Sequence, residues 1–189
     1  MGCNGGQPSG AWNWFVKSGV CTGGDYSDVG TGTTCKPYTL PSCAHHVTPP
    51  PGMVACDSIP EETTPACTSV CSEKTYDVSY SKDKYHATSS YSIKANDIQK
   101  ELMERGSISV SMEVYEDFES YTSGVYQHLT GSYLGGHSIK LIGWGVDNDI
   151  PYWICVNSWN DSWGESGTFR ILRGQDECGI ESGAIAGEV

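Results

Sequence analysis

His137 and Asn157 are the two residues of this chain whose types and spacing best suit shared chemistry. Both are equidistant from residue 147, the middle of Gly145-Val146-Asp147-Asn148-Asp149-Ile150-Pro151, a run with the composition of a hairpin connection. Strand candidates at 138–144 and 152–157 flank that run. Opposed residues of an antiparallel pair are equidistant from the turn, so His137 is predicted to face Asn157 with Cβ atoms about 4.5–5.5 Å apart. An Asn oxygen accepting from one imidazole nitrogen fixes the tautomer and leaves the other nitrogen to exchange a proton with a nucleophile. A neutral amide suffices when that nucleophile is a thiol, because Cys ionises readily and forms a thiolate–imidazolium pair. On pairing alone, a structural hydrogen bond at a sheet edge explains the two residues better than catalysis does.

A second cluster is His45-His46, two adjacent imidazoles that suit a carboxylate when cationic at acid pH. Taken with Cys67-x3-Cys71, the same histidines read instead as a zinc site on a non-catalytic, metal-stapled or disulfide-rich binding module. That spacing is weak, since Cys35, Cys43 and Cys56 supply no second close pair.

The elements that must position these groups differ between the two halves of the chain. Pro8 to Gly19 suits a short helix, with Ser9 near its start and Gly19 as its stop. Residues 21–76 carry no convincing period, and Pro49-Pro50-Pro51-Gly52 precludes a helix or central strand there. A stretch that long needs cross-links to be ordered. After about residue 90 the pattern becomes regular. Asn96 can cap a helix through Ile98, Leu102 and Met103 that stops at Gly106. Ile108, Val110, Met112 and Val114 then alternate with polar residues, and 168–172 completes the set of strand candidates.

The 189 residues carry 11 Lys and Arg against 23 Asp and Glu, a formal charge of −12 that repels nucleic acid and anionic lipid. No apolar run approaches the roughly 18 residues of a membrane span. Nine cysteines suit an oxidising compartment, and the odd number leaves at least one thiol unpaired within the chain.

Gly135-Gly136-His137-Ser138 and Asn157-Ser158-Trp159-Asn160-Asp161-Ser162-Trp163-Gly164 closely resemble the His and Asn motifs of papain-like cysteine peptidases. Gly2-Cys3-Asn4-Gly5-Gly6 is similar to a third motif, which lines the non-primed side of the cleft. Cys43-Ala44-His45-His46 closed by Cys56, with the ending Arg173 to Ser182, resembles the cathepsin B-like subfamily and its occluding loop.

The resemblance implies an α+β, two-lobe papain-like fold, with a truncated helical left lobe and an antiparallel, β-barrel-like right lobe. It places the remainder of the left lobe at 1–75 with the loop at 43–56, the sheet-rich lobe at 76–174, and a C-terminal return toward the left lobe at 175–189. His137 and Asn157 become the catalytic residues. Gly5, Gly6, Gly136, Trp159 and Gly183 become substrate-binding, as do His45 and His46, which receive a peptide's C-terminal carboxylate. Trp159 is implied to shield the His–Asn bond from water. The implied disulfides are Cys35–Cys71 and Cys43–Cys56, the first worth about 4 kcal/mol on a chain-entropy argument. Peptide and protein substrates, protein inhibitors of cysteine peptidases, a monomeric state and a lysosomal, other acidic or secreted location follow by the same resemblance; no cofactor or metal does.

Several expectations are particular to this sequence. No cysteine has the Cys-Gly-Ser-Cys-Trp neighbours of the family's nucleophile, which is therefore expected before Met1, together with the Gln of the oxyanion hole and the partners of Cys3 and Cys67. The 189 residues alone are expected to be inactive and at best partly folded. Gly183 stands where many members carry a Glu, which predicts a preference for apolar residues at the second non-primed position. Residues 44–55 hold no Lys or Arg, so His45 and His46 are the loop's titratable cations, and the loop is expected to close at acid pH. Asn160-Asp161-Ser162 is a glycosylation sequon placed awkwardly beside Trp159.

Overall fold

A computed structural model describes residues 2–189. The elements are helix α1 (Pro8–Ser18), strand β1 (Ser89–Ser92), helix α2 (Ile98–Arg105), strand β2 (Ile108–Tyr115), the single-turn helix α3 (Glu116–Glu119), and strands β3 (Val125–Tyr126), β4 (Tyr133–Asp147), β5 (Ile150–Val156), β6 (Thr168–Leu172) and β7 (Ile185–Glu188). The strands form one seven-stranded sheet in the order β1-β7-β2-β4-β5-β6-β3. The fold is mixed α+β with few helices, and the sheet is open, whereas the sequence reading expects a barrel-like right lobe.

Two compact units divide the described residues: 2–42, 60–90 and 187–189 in one, 43–59 and 91–186 in the other. The expected lobe boundaries at 75 and 174 do not coincide with these. In particular, the loop at 43–59 belongs to the unit that holds His137.

The second unit has an apolar core. The inward positions of β2 (Ile108, Val110, Met112 and Val114) are buried against Leu141, Trp153, Phe169 and Ile171 from the neighbouring strands, with Phe118 and Trp163 beside them. The first unit has no comparable cluster among the described residues. Helix α1 buries none of its residues, and Trp14 on it is 59% exposed. What orders this unit is polar and covalent. The buried Asp83 carboxylate accepts from the Thr22 amide at 2.8 Å, the Thr22 hydroxyl at 2.7 Å and the Tyr76 hydroxyl at 3.0 Å. Burial alone would push this carboxyl up, but those bonds outweigh it and hold it below the usual carboxylate range. Glu73 accepts from the amides of Gly30 and Gly32, and the disulfide Cys35–Cys71 closes the irregular stretch.

Local details depart from the sequence reading in instructive ways. Helix α1 starts at Pro8, with Gln7 rather than Ser9 at its cap, because a proline at the first helical position loses no hydrogen bond. Residues 95–97 form a 3₁₀ turn, so α2 is entered from Asp97 and not capped by Asn96. The largest difference concerns the β4–β5 hairpin. Its connection is only Asn148 and Asp149, both at positive φ (48° and 65°), the two-residue turn that matches strand twist. The expected seven-residue connection is otherwise strand.

Candidate active site

The observed hairpin shifts the ladder. Asp147 pairs with Ile150 and Trp144 with Trp153, and after a bulge between Leu141 and Gly143 the register runs Leu141 with Cys155 and Lys140 with Val156. Extending it, Asn157 falls opposite Ile139 and not opposite His137, whose ladder partner is Met112 on β2. The expected direct pairing across a turn centred at 147 is therefore wrong. The contact forms all the same: His137 Nε2 lies 2.8 Å from Asn157 Oδ1. Residues two positions apart on facing strands share a face along the diagonal, at roughly 7–8 Å, within reach of an imidazole and a carboxamide.

Asn157 is fixed from both sides. Its amide donates to Gly167 O at 2.9 Å just beyond the end of β5, and its Oδ1 also accepts from the Ser158 amide at 2.8 Å. With Oδ1 as acceptor, His137 carries its proton on Nε2, and Nδ1 presents a lone pair that no described residue engages by hydrogen bond. Asn157 Nδ2 is buried without a hydrogen-bond partner among the described residues. Such an orphan donor costs on the order of 1–3 kcal/mol, a cost tolerated where an orientation is being enforced.

Trp159 covers this pair, its ring centroid 5.3 Å from that of His137. The same indole stacks on His45 at 5.2 Å and 14° and meets His46 at 4.6 Å. Its inner side rests on Phe118 and Trp163, at 5.4 and 5.0 Å, which are themselves buried in the apolar core. Trp163 is held in turn by its Nε1 donating to Glu119 O at 3.0 Å. One aromatic stack thus runs from the core to three imidazoles.

The loop carrying His45 and His46 is closed by the Cys43–Cys56 disulfide and by Ala44 pairing with the 54–56 backbone. His46 adopts φ 58°, a left-handed conformation rare for a residue with a Cβ, and its Nε2 stands 3.6 Å from Glu119 Oε1. Asn160 Nδ2 donates to His45 O at 3.4 Å, while Asn160 Oδ1 accepts from the amide and hydroxyl of Ser162. The nitrogen a glycan would need is therefore engaged on the loop. Burial, then the neighbouring His46, push the His45 pKa below its ordinary value; Asp57 and Glu119 pull it up, and His137 again lowers it.

Glu119 and Asn160 are contacts of this loop that the sequence did not reveal. No spacing rule links Glu119 to His46, and Asn160 is masked by its sequon. Gly136 lies in β4 opposite Glu113, next to Gly135. Gly183 packs on β2, where an added Cβ would stand 3.1 Å from Ser111 Cβ and 3.3 Å from its amide nitrogen. Gly5, at φ 74°, and Gly6 are exposed in the first unit. Both disulfides expected from the resemblance are present. Cys71 is therefore not a free thiolate for a metal. The one group of potential ligands that meets by distance among the described residues is Cys21, Cys35 and Asp83, in which the Cys35 sulfur is already bonded to Cys71.

A mixed sheet with an imidazole and a carboxamide locked together under an indole defines a class. The chain matches the papain family of cysteine proteases over residues 1–188 and belongs to that family. Within it, the chain is 48% identical over 191 residues to cathepsin B-like cysteine proteinase 6 of Caenorhabditis elegans, covering 99% of this chain and 48% of that protein. It is 44% identical over 188 residues to a cathepsin B-like cysteine proteinase of Schistosoma japonicum, covering 98% and 53%. Among solved structures it is similar to proCathepsin B S9 from Trypanosoma congolense, with a TM-score of 0.78 and 33% identity over 98% of this chain and 54% of that one. The chain spans about half the length of the curated relatives it matches.

Proposed function

We propose that this chain supplies the base and its orienting amide to a cysteine peptidase of the cathepsin B-like type. The observation that carries the reading is the 2.8 Å His137–Asn157 bond, which leaves Nδ1 as the free nitrogen beneath Trp159. In this reading Nδ1 takes the proton of a cysteine nucleophile, the thiolate attacks a peptide carbonyl, and the imidazolium then protonates the leaving amine. Water hydrolyses the acyl-enzyme with the same base. Within the second unit, none of the cysteines suits the nucleophile's part: Cys43 and Cys56 are bridged, Cys155 is buried with its thiol pushed up by burial, and Cys178 is pushed up to about 12 by burial and then by Glu177. The nucleophile, like the oxyanion-hole Gln, is assigned to a segment outside these residues.

His45 and His46 serve in this reading as receptors for a peptide's C-terminal carboxylate, giving dipeptide removal when the loop is docked and internal cleavage when it is displaced. Gly183 leaves no anion to meet a basic side chain, so apolar residues are preferred at the second non-primed position. Peptides and proteins are the substrates, protein inhibitors of cysteine peptidases are partners, the protein is monomeric, and an acidic endomembrane compartment or the extracellular space is the setting.

The test joins residues 1–189 to the nucleophile-bearing segment of a cathepsin B-like relative and measures hydrolysis of peptide reporters. The expected result is thiol-dependent cleavage by the joined protein, none by the 189 residues alone, and a loss of roughly 10²–10⁴-fold on His137→Ala. Cleavage by the 189 residues through one of their own cysteines, or a folded joined protein indifferent to His137→Ala, overturns the reading.

A further inference from the structure

We propose that Cys21, Cys35 and Cys71 form a thiol–disulfide exchange site in which Cys21 is an alternative partner of Cys35. Cys21 is a free, partly buried cysteine, and its Sγ lies within 4.8 Å of the fully buried Cys35 Sγ, the atom bonded to Cys71. The backbone presets the approach. Thr22, next to Cys21, accepts the Cys35 amide on its hydroxyl at 2.9 Å and the Lys36 amide on its carbonyl at 3.0 Å, so the two segments already lie side by side. Asp83 fixes Thr22 in turn through its amide and hydroxyl. The sulfur that must be attacked is therefore held next to the sulfur that would attack.

The step balances without an external oxidant or reductant. Cys21 loses its proton, its thiolate attacks Cys35 Sγ, the Cys21–Cys35 bond forms as the Cys35–Cys71 bond breaks, and Cys71 leaves as a thiolate that takes up a proton. Cys35 remains bonded in both isomers, so Cys71 is the end that is released. The backbone carbonyl of Cys35 still accepts from the amides of Ser72 and Glu73, at 3.0 and 3.3 Å, which keeps the released residue close enough for return. The freed thiol lies four positions after the exposed, unpaired Cys67.

Loop lengths give this exchange a direction during folding. Cys21 and Cys35 are 14 positions apart in sequence and Cys35 and Cys71 are 36 apart. On the three-halves power law for closing a flexible loop, the shorter bridge forms roughly fourfold more often in the unfolded chain. Exchange through the preset geometry then converts it to the longer bridge found in the folded protein. The site is thus a route to the native disulfide as well as a point of redox lability, and it is independent of the peptidase reading.

The test uses the 189-residue chain folded with its disulfides, incubated without added thiol at pH 6 and pH 8.5, quenched in acid, alkylated and mapped by mass spectrometry of its peptides. The expected result is a Cys21–Cys35 cross-linked peptide together with alkylated Cys71, accumulating faster at the higher pH because the thiolate is the attacking species. Cys21→Ser removes both signals, whereas Cys67→Ser leaves them; Cys21→Val serves if the serine variant does not fold. Cys71 that stays unlabelled while Cys21 is alkylated overturns the proposal. So does alkylation of Cys71 that survives in the folded Cys21 variants, which would assign the attack to another thiol.

Discussion

Residues 91–186 and the segments 2–42 and 60–90 belong to one chain, yet the first stretch is organised chiefly round apolar side chains, with the buried Glu181 carboxylate beside them, and the others round a disulfide and two buried carboxylates. In the sheet unit, Phe169 meets Phe118 and Trp163 edge to face and Trp163 packs tilted against Phe118, and removing water from them needs no partner of special chemistry. In the other unit, Asp83, Glu73 and Cys35 are buried where a core would otherwise stand. The difference teaches which part of the protein can hold a geometry under changing solution conditions. Apolar packing is indifferent to redox potential and nearly so to pH, while a bridge and ionised carboxylates respond to both.

Substitutions can break this contrast in order of size. Phe118→Ala should cost up to about 5 kcal/mol, because the cavity opens at the crossing of the aromatic stack. Hydrogen exchange should show the amides of β2, β4 and β5 losing protection, and Trp159 fluorescence should change as its inner support is removed. Retained protection in β4 would mean the core does not depend on that ring. Cys71→Ser should cost about 4 kcal/mol on the chain-entropy argument, with the loss confined to amides of the first unit such as Val20 and Tyr85, which pair with each other. Equal deprotection of both units would erase the contrast.

Smaller changes sharpen it. Asp83→Ala leaves the Thr22 amide and hydroxyl and the Tyr76 hydroxyl without their shared acceptor, a loss of about 2–3 kcal/mol seen as a lower urea midpoint. Its folded pKa is depressed, so its contribution is present above the ordinary carboxylate pKa and fades as pH falls through the folded value. In Asp83→Ala that acid-dependent loss should shrink; an unchanged acid limb would assign it to other carboxylates. The smallest effect concerns His45, whose pKa is lowered in the docked loop chiefly by burial. The undocked ring binds the proton more readily, so its contribution to docking is full above the ordinary 6.5 and declines as pH falls below it. The Glu119 carboxylate acts in the opposite sense, since it favours the charged form of His45. Glu119→Gln should therefore make the docked loop weaker at acid pH, read by quenching of Trp159; docking that still strengthens on acidification would show that His45 does not govern the balance.

Much of this is legible in the sequence. Strand β6 falls on the expected 168–172 because Gly167 and Gly174 bracket an apolar alternation, and helix α2 ends at Gly106 at φ 92°, a position that favours glycine. The hairpin is hidden in the sequence because β4 carries four glycines, Gly135, Gly136, Gly143 and Gly145, which look like turn residues, while the true turn is Asn148-Asp149. The bulge near Ile142 moves the ladder back by one position, toward the expected register, and no propensity announces a bulge. Contact between His137 and Asn157 survived this error because a face is shared along diagonals as well as across rungs. Glu119 stayed hidden for a different reason. Its partner is 73 positions away in sequence, and only packing brings the two together.

Trp159 touches His45, His46 and His137 with one ring, so the loop and His137 share a single aromatic neighbour. Burial on this ring is the largest force against charging His45, and the neighbouring His46 and, more weakly, His137 add to it. A substitution that strips the indole from this position would expose the loop imidazole and His137 to water together. One ring thus sets the solvation of two separate parts of the structure.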